Sequence, residues 1–167
     1  LLERHAEQYD QRFVAYADCG TGGRLDAVLK RWQAERIPGA HCYEFYATAD
    51  VFHALADAEP GTFYLTDFLV RHFDRLVIED LKLNIHPTLR DTLFAHYTRV
   101  VYLAQTEDAS LVAGAQRAAD QLALPLEVIQ TGLGGLQSAM TAQVLRWQDR
   151  SEALGEPAAP RVADATH

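Results

Sequence analysis

Short apolar runs alternate with longer amphipathic stretches along most of the chain. The runs are rich in β-branched and aromatic residues and end in polar or glycine-rich turns, which is typical of buried strands. Four runs fit this description: "RFVAYAD" (12–18), "TFYLTD" (62–67), "RVVYLAQ" (99–105) and "PLEVIQTG" (125–132). "RIPG" (36–39) predicts a further, shorter strand.

The stretches between these runs have the apolar spacing of helices. Helices are predicted within 1–11, 25–35, 48–61, 68–81, 86–97, 106–124 and 136–148. Strand and helix therefore alternate, which predicts an α/β fold: an open three-layer, Rossmann-like domain with a mainly parallel sheet. We expect this single domain to cover residues 1–149. The tail, 150–167, is rich in alanine, proline and charge and is predicted to be disordered.

Composition narrows the class of protein. The 167 residues suit one domain, and the formal net charge of −8 argues against a nucleic-acid surface. No apolar run approaches the roughly 20 residues that span a bilayer, so no membrane partner is expected. Two cysteines are too few for a disulfide scaffold. Without an export signal, we expect a cytoplasmic protein with free thiols.

Four polar segments follow the predicted strands: "DCGTGG", "TDF", "QTED" and "TGLGG". In parallel sheets, the active crevice lies beyond the carboxyl ends of the strands. Asp67, at the end of its strand, is therefore a candidate general acid or base. The alternative is that Asp67 caps the helix that follows, a position that aspartate favours.

The glycine-rich segment Gly20, Thr21, Gly22 and Gly23 stands before a predicted helix. Such a turn can bind an anion or a cofactor phosphate at the helix N-terminus. It lacks the glycine spacing of a dinucleotide site and the Lys-Ser/Thr of a P-loop. The alternative is a sharp strand-to-helix turn that needs positive φ angles.

The two cysteines lie in predicted irregular backbone at the edges of elements. Cys19 precedes a predicted helix, and Cys42 directly follows His41. Together, Cys19, His41 and Cys42 would give zinc three ligands and an open fourth position, or would help to hold an iron–sulfur cluster. The alternative is two inert buried thiols and a surface histidine.

An aromatic group, Tyr43, Phe45 and Tyr46, accompanies Cys42. These rings would wall an apolar ligand pocket or belong to the core. Glu44 lies among them and would serve as a general acid or base if it is buried, because burial raises the pKa of a carboxyl group.

Taken together, several blocks resemble the DUF1638 family. They are "FVAYADCGTGGRLD", "RIPGAHCYEFY", "PGTFYLTDFLVRHFDRLVI", "HPTLRD", "RVVYLAQTED" and "LPLEVIQTGLGGL". The resemblance implies a cytoplasmic α/β protein in which the positions of Cys19 and Cys42 are typical. It also implies an association with corrinoid-dependent methyltransferases and corrinoid proteins, and so a role in one-carbon metabolism.

Two departures from the family pattern bear on this interpretation. Members of the family usually begin with a further strand and helix that carry another cysteine, so we expect this chain to be incomplete at its N-terminus. That additional thiolate would strengthen a zinc or iron–sulfur site. A family pattern "LGLDRHP" reads "LKLNIHP" here, and Lys82 and Asn84 are among the departures.

Three functions remain in competition. The first is an enzyme that transfers or activates a methyl or other small group at a metal held by cysteines, with Asp67 or Glu44 as acid or base. The second is a non-catalytic accessory or cofactor-delivery protein, with a corrinoid protein or methyltransferase as partner. The third is a small anion-binding module that uses the "CGTGG" turn.

Overall fold

A computed structural model describes residues 9, 11–16, 20–37 and 41–154, the last four without their side chains. The described chain divides into two compact units. One, the β1–β2 unit, comprises the described residues up to 37 together with residues 137–154; the other, the β3–β5 unit, comprises residues 41–136.

The elements follow one another in the predicted alternation. The strands are β1 (Arg12–Val14), β2 (Ala34–Arg36), β3 (Thr62–Thr66), β4 (Arg99–Ala104) and β5 (Leu126–Gln130). The α-helices are α1 (Arg24–Arg31), α2 (Cys42–Ala47), α3 (Ala49–Ala58), α4 (Asp67–Arg71), α5 (Leu89–Leu93), α6 (Ala109–Leu122) and α7 (Gly134–Leu154). A π-helix (Asp74–Glu79) follows α4.

The β3–β5 unit is built on a parallel three-stranded sheet in the order β3-β4-β5. Thr62 pairs with Arg99, and Val100 pairs with Leu126, so the three strands end at the same edge. The connections run through helices, as parallel pairing requires. The predicted α/β fold with a parallel sheet is therefore confirmed.

The central strand β4 supplies both faces of the core, since successive side chains point to opposite sides of a sheet. Val100, Tyr102 and Ala104 pack in one cluster with residues of α6 and the π-helix. Val101 and Leu103 pack on the other face, against residues of α2 and α3. The near-continuous apolar run of β4 reflects this burial on two faces.

The β1–β2 unit contains a second, two-stranded parallel sheet, in which Arg12 pairs with Ala34. Within this unit the ring of Trp147 packs edge-on against Phe13, with 6.0 Å between centroids. The buried Gln143 donates a hydrogen bond to Glu35 (2.9 Å). One apolar and one polar contact therefore hold α7 against this sheet.

Several element boundaries differ from the predictions. The helix predicted over 68–81 is interrupted, because α4 ends at Arg71 and a π-helix follows. The helix predicted over 86–97 is reduced to Leu89–Leu93. The short strand predicted at 36–39 lies at Ala34–Arg36, and α7 continues to Leu154. The helix predicted over 1–11 falls almost entirely outside the described residues.

Among the residues that the structure describes, no helix is both long and apolar enough to cross a membrane.

Candidate functional site

Polar side chains from two strand ends meet at the carboxyl edge of the β3–β5 sheet, around Asp67. The Asp67 carboxylate accepts hydrogen bonds from the Tyr102 hydroxyl (2.7 Å) and from the backbone N–H of Gln105 (2.9 Å). The Thr106 hydroxyl donates a third bond (2.6 Å). Only 5% of Asp67 is exposed. The carboxylate therefore connects the end of β3 to the end of β4.

The protonation state of Asp67 follows from these contacts. Burial acts to raise the pKa of the Asp67 carboxyl. The hydrogen bonds from Thr106, Tyr102 and Gln105, with the charge of Arg71, outweigh burial and hold the pKa below the usual aspartate range. Burial and the bond to Asp67 raise the pKa of Tyr102. At neutral pH, the pair is an ionised carboxylate and a neutral phenol.

Thr66, not Asp67, caps the helix that begins here. The Thr66 hydroxyl accepts a hydrogen bond from the Leu69 N–H (3.3 Å), and Asp67 is the first residue of α4. The alternative of Asp67 as the N-cap is thus wrong by one position. Because Thr66 supplies the cap of α4, the Asp67 side chain is available to bind the turn after β4.

Gln105 completes the connection between the two strand ends. The Asp67 N–H donates to the Gln105 side-chain oxygen (2.7 Å), while the Gln105 side-chain nitrogen donates to the Leu103 carbonyl. Thr106 is exposed, and its hydroxyl proton is directed at Asp67. Its oxygen lone pairs remain as acceptors at this edge.

Sequence reasoning found Asp67 and the "QTED" segment but not the roles of Tyr102, Gln105 and Thr106. Tyr102 reads as an ordinary core residue of β4, and nothing local indicates that its hydroxyl reaches the next strand. The available signal was topological, since "TDF" and "QTED" end neighbouring strands.

His41 and Cys42 lie at the start of α2. His41 is the exposed N-cap residue, and Cys42 is the half-buried first residue of the helix. Cys42 thus lies at the edge of an element, as predicted, but in helical backbone and not in the irregular backbone that was predicted. A helix N-terminus favours the thiolate form of a cysteine.

Beside these residues lies an aromatic cluster, formed by the rings of His41, Tyr43, Phe52 and Tyr64. Tyr43 and Phe52 each lie 5.2 Å from Tyr64 between ring centroids, and His41 stacks on Tyr43 at 6.4 Å. At these separations the rings contact one another. Tyr43 and the buried Phe45 therefore contribute to packing, which favours the core interpretation of these aromatics.

Glu44 lies on α2 with 14% of its side chain exposed. Its Oε1 atom is 3.9 Å from Nε2 of His53, which is largely exposed on α3. The carboxylate is thus partly withdrawn from solvent and lies beside an imidazole.

The predicted metal ligands are only partly described. Cys19 lies outside the described residues, whereas His41 and Cys42 lie within them. Among residues 9, 11–16, 20–37 and 41–154, no group of three or more His, Cys, Asp or Glu side chains has the geometry of a metal site. The three-ligand site of Cys19, His41 and Cys42 therefore stays a prediction, because one of its members lies outside the described residues.

The glycine-rich segment forms a turn with left-handed backbone. The φ angles of Gly20, Gly22 and Gly23 are 75°, 58° and 80°, and Gly23 is the N-cap residue of α1. The predicted sharp turn is thus confirmed. The Thr21 hydroxyl accepts a bond from the Leu25 N–H (3.4 Å), which partly satisfies the start of the helix.

An open depression lies beside this turn. Its volume is about 710 Å³, and it is lined by Gly20, Thr21, Gly22, Arg24, Leu25 and Val28. Arg24 is the charged member of the lining, to which Leu25 and Val28 add apolar side chains.

The second glycine segment, "TGLGG", follows β5. A side chain at Gly134 would collide with the backbone of Tyr46 and Phe45. Gly134 therefore permits the close approach of the end of α2 to the start of α7, which is a packing role.

These features define the class of the protein: an α/β protein whose polar side chains gather at the carboxyl edge of a parallel sheet. The sequence model of the DUF1638 family, which is described as a protein of unknown function, matches residues 1–140 of the chain. The chain belongs to this family. No curated protein matches the chain. No solved structure matches it either.

Proposed function

We propose that this DUF1638 protein carries a cysteine-based metal or iron–sulfur site and acts in corrinoid-linked one-carbon metabolism. The supporting observation is the position of His41 and Cys42. The imidazole of His41 and the sulfur-bearing side chain of Cys42 are adjacent at the start of α2, where His41 is exposed and Cys42 is half-buried. Cys19 is the proposed third ligand.

The donor types suit the proposed group. Thiolate and imidazole together favour zinc, and thiolates favour iron–sulfur clusters. Three protein ligands leave a position for substrate, where a bound metal would activate a nucleophile or polarise a small group. The reducing cytoplasm, the proposed location, keeps such thiols available.

Glu44 and Asp67 have different proposed roles. Glu44, two residues after Cys42 and near His53, is the candidate for proton exchange at the site. Asp67 holds a low pKa and three hydrogen bonds, so its contribution is a fixed negative charge that orders the strand ends. A corrinoid protein or a methyltransferase is the proposed partner.

Anaerobic reconstitution tests the metal site. The protein is incubated with zinc, or with iron and sulfide, then desalted and analysed for metal per chain. We expect stoichiometric metal in the wild type and at least about tenfold less in Cys19→Ser and Cys42→Ser, since each removes a thiolate ligand. His53→Ala is the matched control, because it removes an exposed histidine outside the proposed ligand set. A wild-type protein that retains no stoichiometric metal or cluster would refute the proposal.

The depression beside the glycine turn favours a second candidate function, the binding of a small anion. Arg24 and the backbone of Gly20 to Gly22 line it. Calorimetry with inorganic phosphate tests this function. We expect saturable binding that Arg24→Ala weakens, whereas Lys30→Ala, which removes an exposed cation from the other end of α1, leaves it intact. Absence of phosphate binding by the wild type would exclude this candidate.

A further inference from the structure

Thr48, the residue that joins α2 to α3, has a strained backbone. Its φ and ψ angles are 66° and 153°. Almost only glycine adopts this backbone conformation, and a β-branched residue is especially disfavoured in it. The Thr48 side chain makes no capping hydrogen bond to the start of α3 that would offset the strain. Such strain persists only where the surrounding structure imposes it.

The α2 side of this junction is firmly packed within the β3–β5 unit. Phe45 and Ala47 of α2 are buried. A side chain at Gly134, in the same unit, would collide with the carbonyl oxygens of Tyr46 and Phe45. The C-terminal end of α2 is therefore fixed directly before Thr48, so α2 cannot shift to relieve the strain without losing these contacts.

The α3 side of the junction is attached more weakly. None of the ten residues of α3 is fully buried. Phe52 and Leu55 are the partly buried residues that pack α3 against the core cluster on this face of β4. The Arg99 guanidinium donates to the Leu55 carbonyl (3.1 Å), and His53 lies 3.9 Å from Glu44. Elements with so little buried apolar surface open at a low free energy.

We infer that α3 is a lid on the β3–β5 unit and that Thr48 is its hinge. In the closed state, which is the one described above, the Phe52 ring covers those of Tyr43 and Tyr64, at 5.9 and 5.2 Å between centroids. In the open state, Phe52 leaves these rings and Thr48 relaxes to an ordinary backbone conformation. The strain at Thr48 thus lowers the free energy needed to open the lid.

The lid lies beside His41 and Cys42, but the inference is independent of the proposed metal site. The ring of His41 lies 6.1 Å from that of Phe52, and Cys42 follows His41 at the start of α2. Opening would uncover the faces of Tyr43 and Tyr64 next to these two residues. The lid would therefore control access for an apolar or aromatic ligand, which such rings suit.

Native-state hydrogen exchange on the full chain, without added metal, tests the lid. A ten-residue helix without tertiary contacts is marginal in water, so the amides of residues 55–58 exchange when α3 detaches. We expect these amides to exchange at least about tenfold faster than those of β4, after correction for intrinsic rates. Equal opening free energies for α3 and β4 would overturn the inference, because α3 would then leave only on global unfolding.

Thr48→Gly tests the hinge. Glycine adopts the closed-state backbone without strain, so exchange at residues 55–58 should slow by at least about threefold. Thr48→Ala is the matched control, because it removes the hydroxyl and methyl groups but keeps the Cβ atom, and its effect should stay below about twofold. Unchanged or faster exchange in Thr48→Gly, or equal slowing in both variants, would overturn the assignment of Thr48 as the hinge.

Phe52→Ala tests which contact closes the lid. The variant removes the ring that covers Tyr43 and Tyr64, so exchange at residues 55–58 should accelerate by about tenfold. Val51→Ala is the matched control, because it shortens an apolar side chain on the same helix that is 42% exposed, and it should leave the rate within about twofold. If Phe52→Ala leaves the rate unchanged, α3 opens without moving this ring and is not a lid over it.

Discussion

At the scale of single residues, Asp67 has a demanding environment, because its buried charge depends on three hydrogen bonds and on the nearby charge of Arg71. Asp67→Asn replaces one carboxylate oxygen, which accepts hydrogen bonds, with an N–H₂ group, which donates them. The group would lie among the donors that now bind the carboxylate. We expect the free energy of unfolding at pH 7 to fall by about 2 to 3 kcal/mol. The measurement is urea unfolding, with Tyr102→Phe as a control that removes one donor and costs about 1.5 kcal/mol.

The pH dependence of stability gives Asp67 a second signature. Its pKa in the folded protein is lowered, so its stabilising contribution is present above the unfolded-state pKa of about 3.9 and is lost as pH falls through the folded-state pKa. We expect the wild type to lose stability below about pH 4 more steeply than Asp67→Asn. If the free energy of unfolding falls equally steeply with pH in both proteins, the loss of stability in acid comes from other carboxylates with lowered pKa values, such as Asp26 and Asp108.

Among the exposed non-glycine residues with positive φ angles are Lys82 and Ala123. The φ angle of Lys82 is 60°, and that of Ala123, which ends α6, is 59°. The family pattern "LGLDRHP" has glycine at the position of Lys82, which the positive φ explains. Left-handed backbone destabilises a residue other than glycine by about 1 to 2 kcal/mol. Glycine avoids this strain but loses more conformational entropy on folding, so the net stabilisation is smaller.

We therefore expect Lys82→Gly and Ala123→Gly each to raise the free energy of unfolding by about 0.5 to 1 kcal/mol. Urea denaturation measures the change. Lys82→Ala is the control, because it removes the side chain and keeps the strain. If the alanine variant gains as much as the glycine variant, the lysine side chain and not the backbone is the cause.

At the scale of elements, Arg99 connects three of them at the amino end of the β3–β5 sheet. Its guanidinium donates to the Thr62 hydroxyl (2.9 Å), to the Glu127 carboxylate (2.8 Å) and to the Leu55 carbonyl (3.1 Å). Lysine cannot reproduce this planar arrangement of donors. Arg99→Lys should lower the free energy of unfolding by about 1 to 2 kcal/mol.

Glu127→Gln is the matched control for Arg99→Lys. It removes only an ion pair whose carboxylate is about half exposed, so the cost should stay below about 1 kcal/mol. Thermal unfolding in low and high salt checks both variants. A loss in Glu127→Gln as large as that in Arg99→Lys would mean that the ion pair dominates the interaction.

Most elements could be predicted from the sequence, because the spacing of apolar residues reflects which side chains are buried. The places where a predicted helix breaks could not be predicted in this way. The strand "RVVYLAQ" matches β4, since burial on both faces leaves a continuous apolar run. In contrast, Phe73 and Val77 have helical spacing and are buried, yet the backbone between them forms a π-helix. Spacing of three to four residues does not distinguish an α-helix from a π-helix over one or two turns.

The candidate site was predictable to the same extent. Asp67 directly follows a predicted strand in the sequence, which is enough to predict that it lies at the end of that strand. Its partners depend on the pairing register of β3 with β4, which brings the Tyr102 hydroxyl within reach of its carboxylate. Whether Cys19 and Cys42 share an ion depends on distances in three dimensions, which sequence spacing does not give, so that prediction stands untested.

At the scale of the whole molecule, the two units bury different amounts of apolar side chain. The β1–β2 unit has few buried side chains among the described residues: Leu29, Ile37 and Gln143. The β3–β5 unit buries all of Val100–Ala104 and most of the inner face of α6. Opening free energies follow burial, so the amides of β4 should exchange only by global unfolding and those of α1 by a smaller, local opening.

Native-state hydrogen exchange at low denaturant measures both opening free energies. We expect the value for α1 to be lower than that for β4 and to depend less on denaturant, because local opening exposes less surface. Leu29→Ala removes a buried side chain of α1 and should lower the α1 value, while β4 keeps its own. If the amides of α1 and β4 instead share one opening free energy and one denaturant dependence, the two units unfold as a single cooperative body.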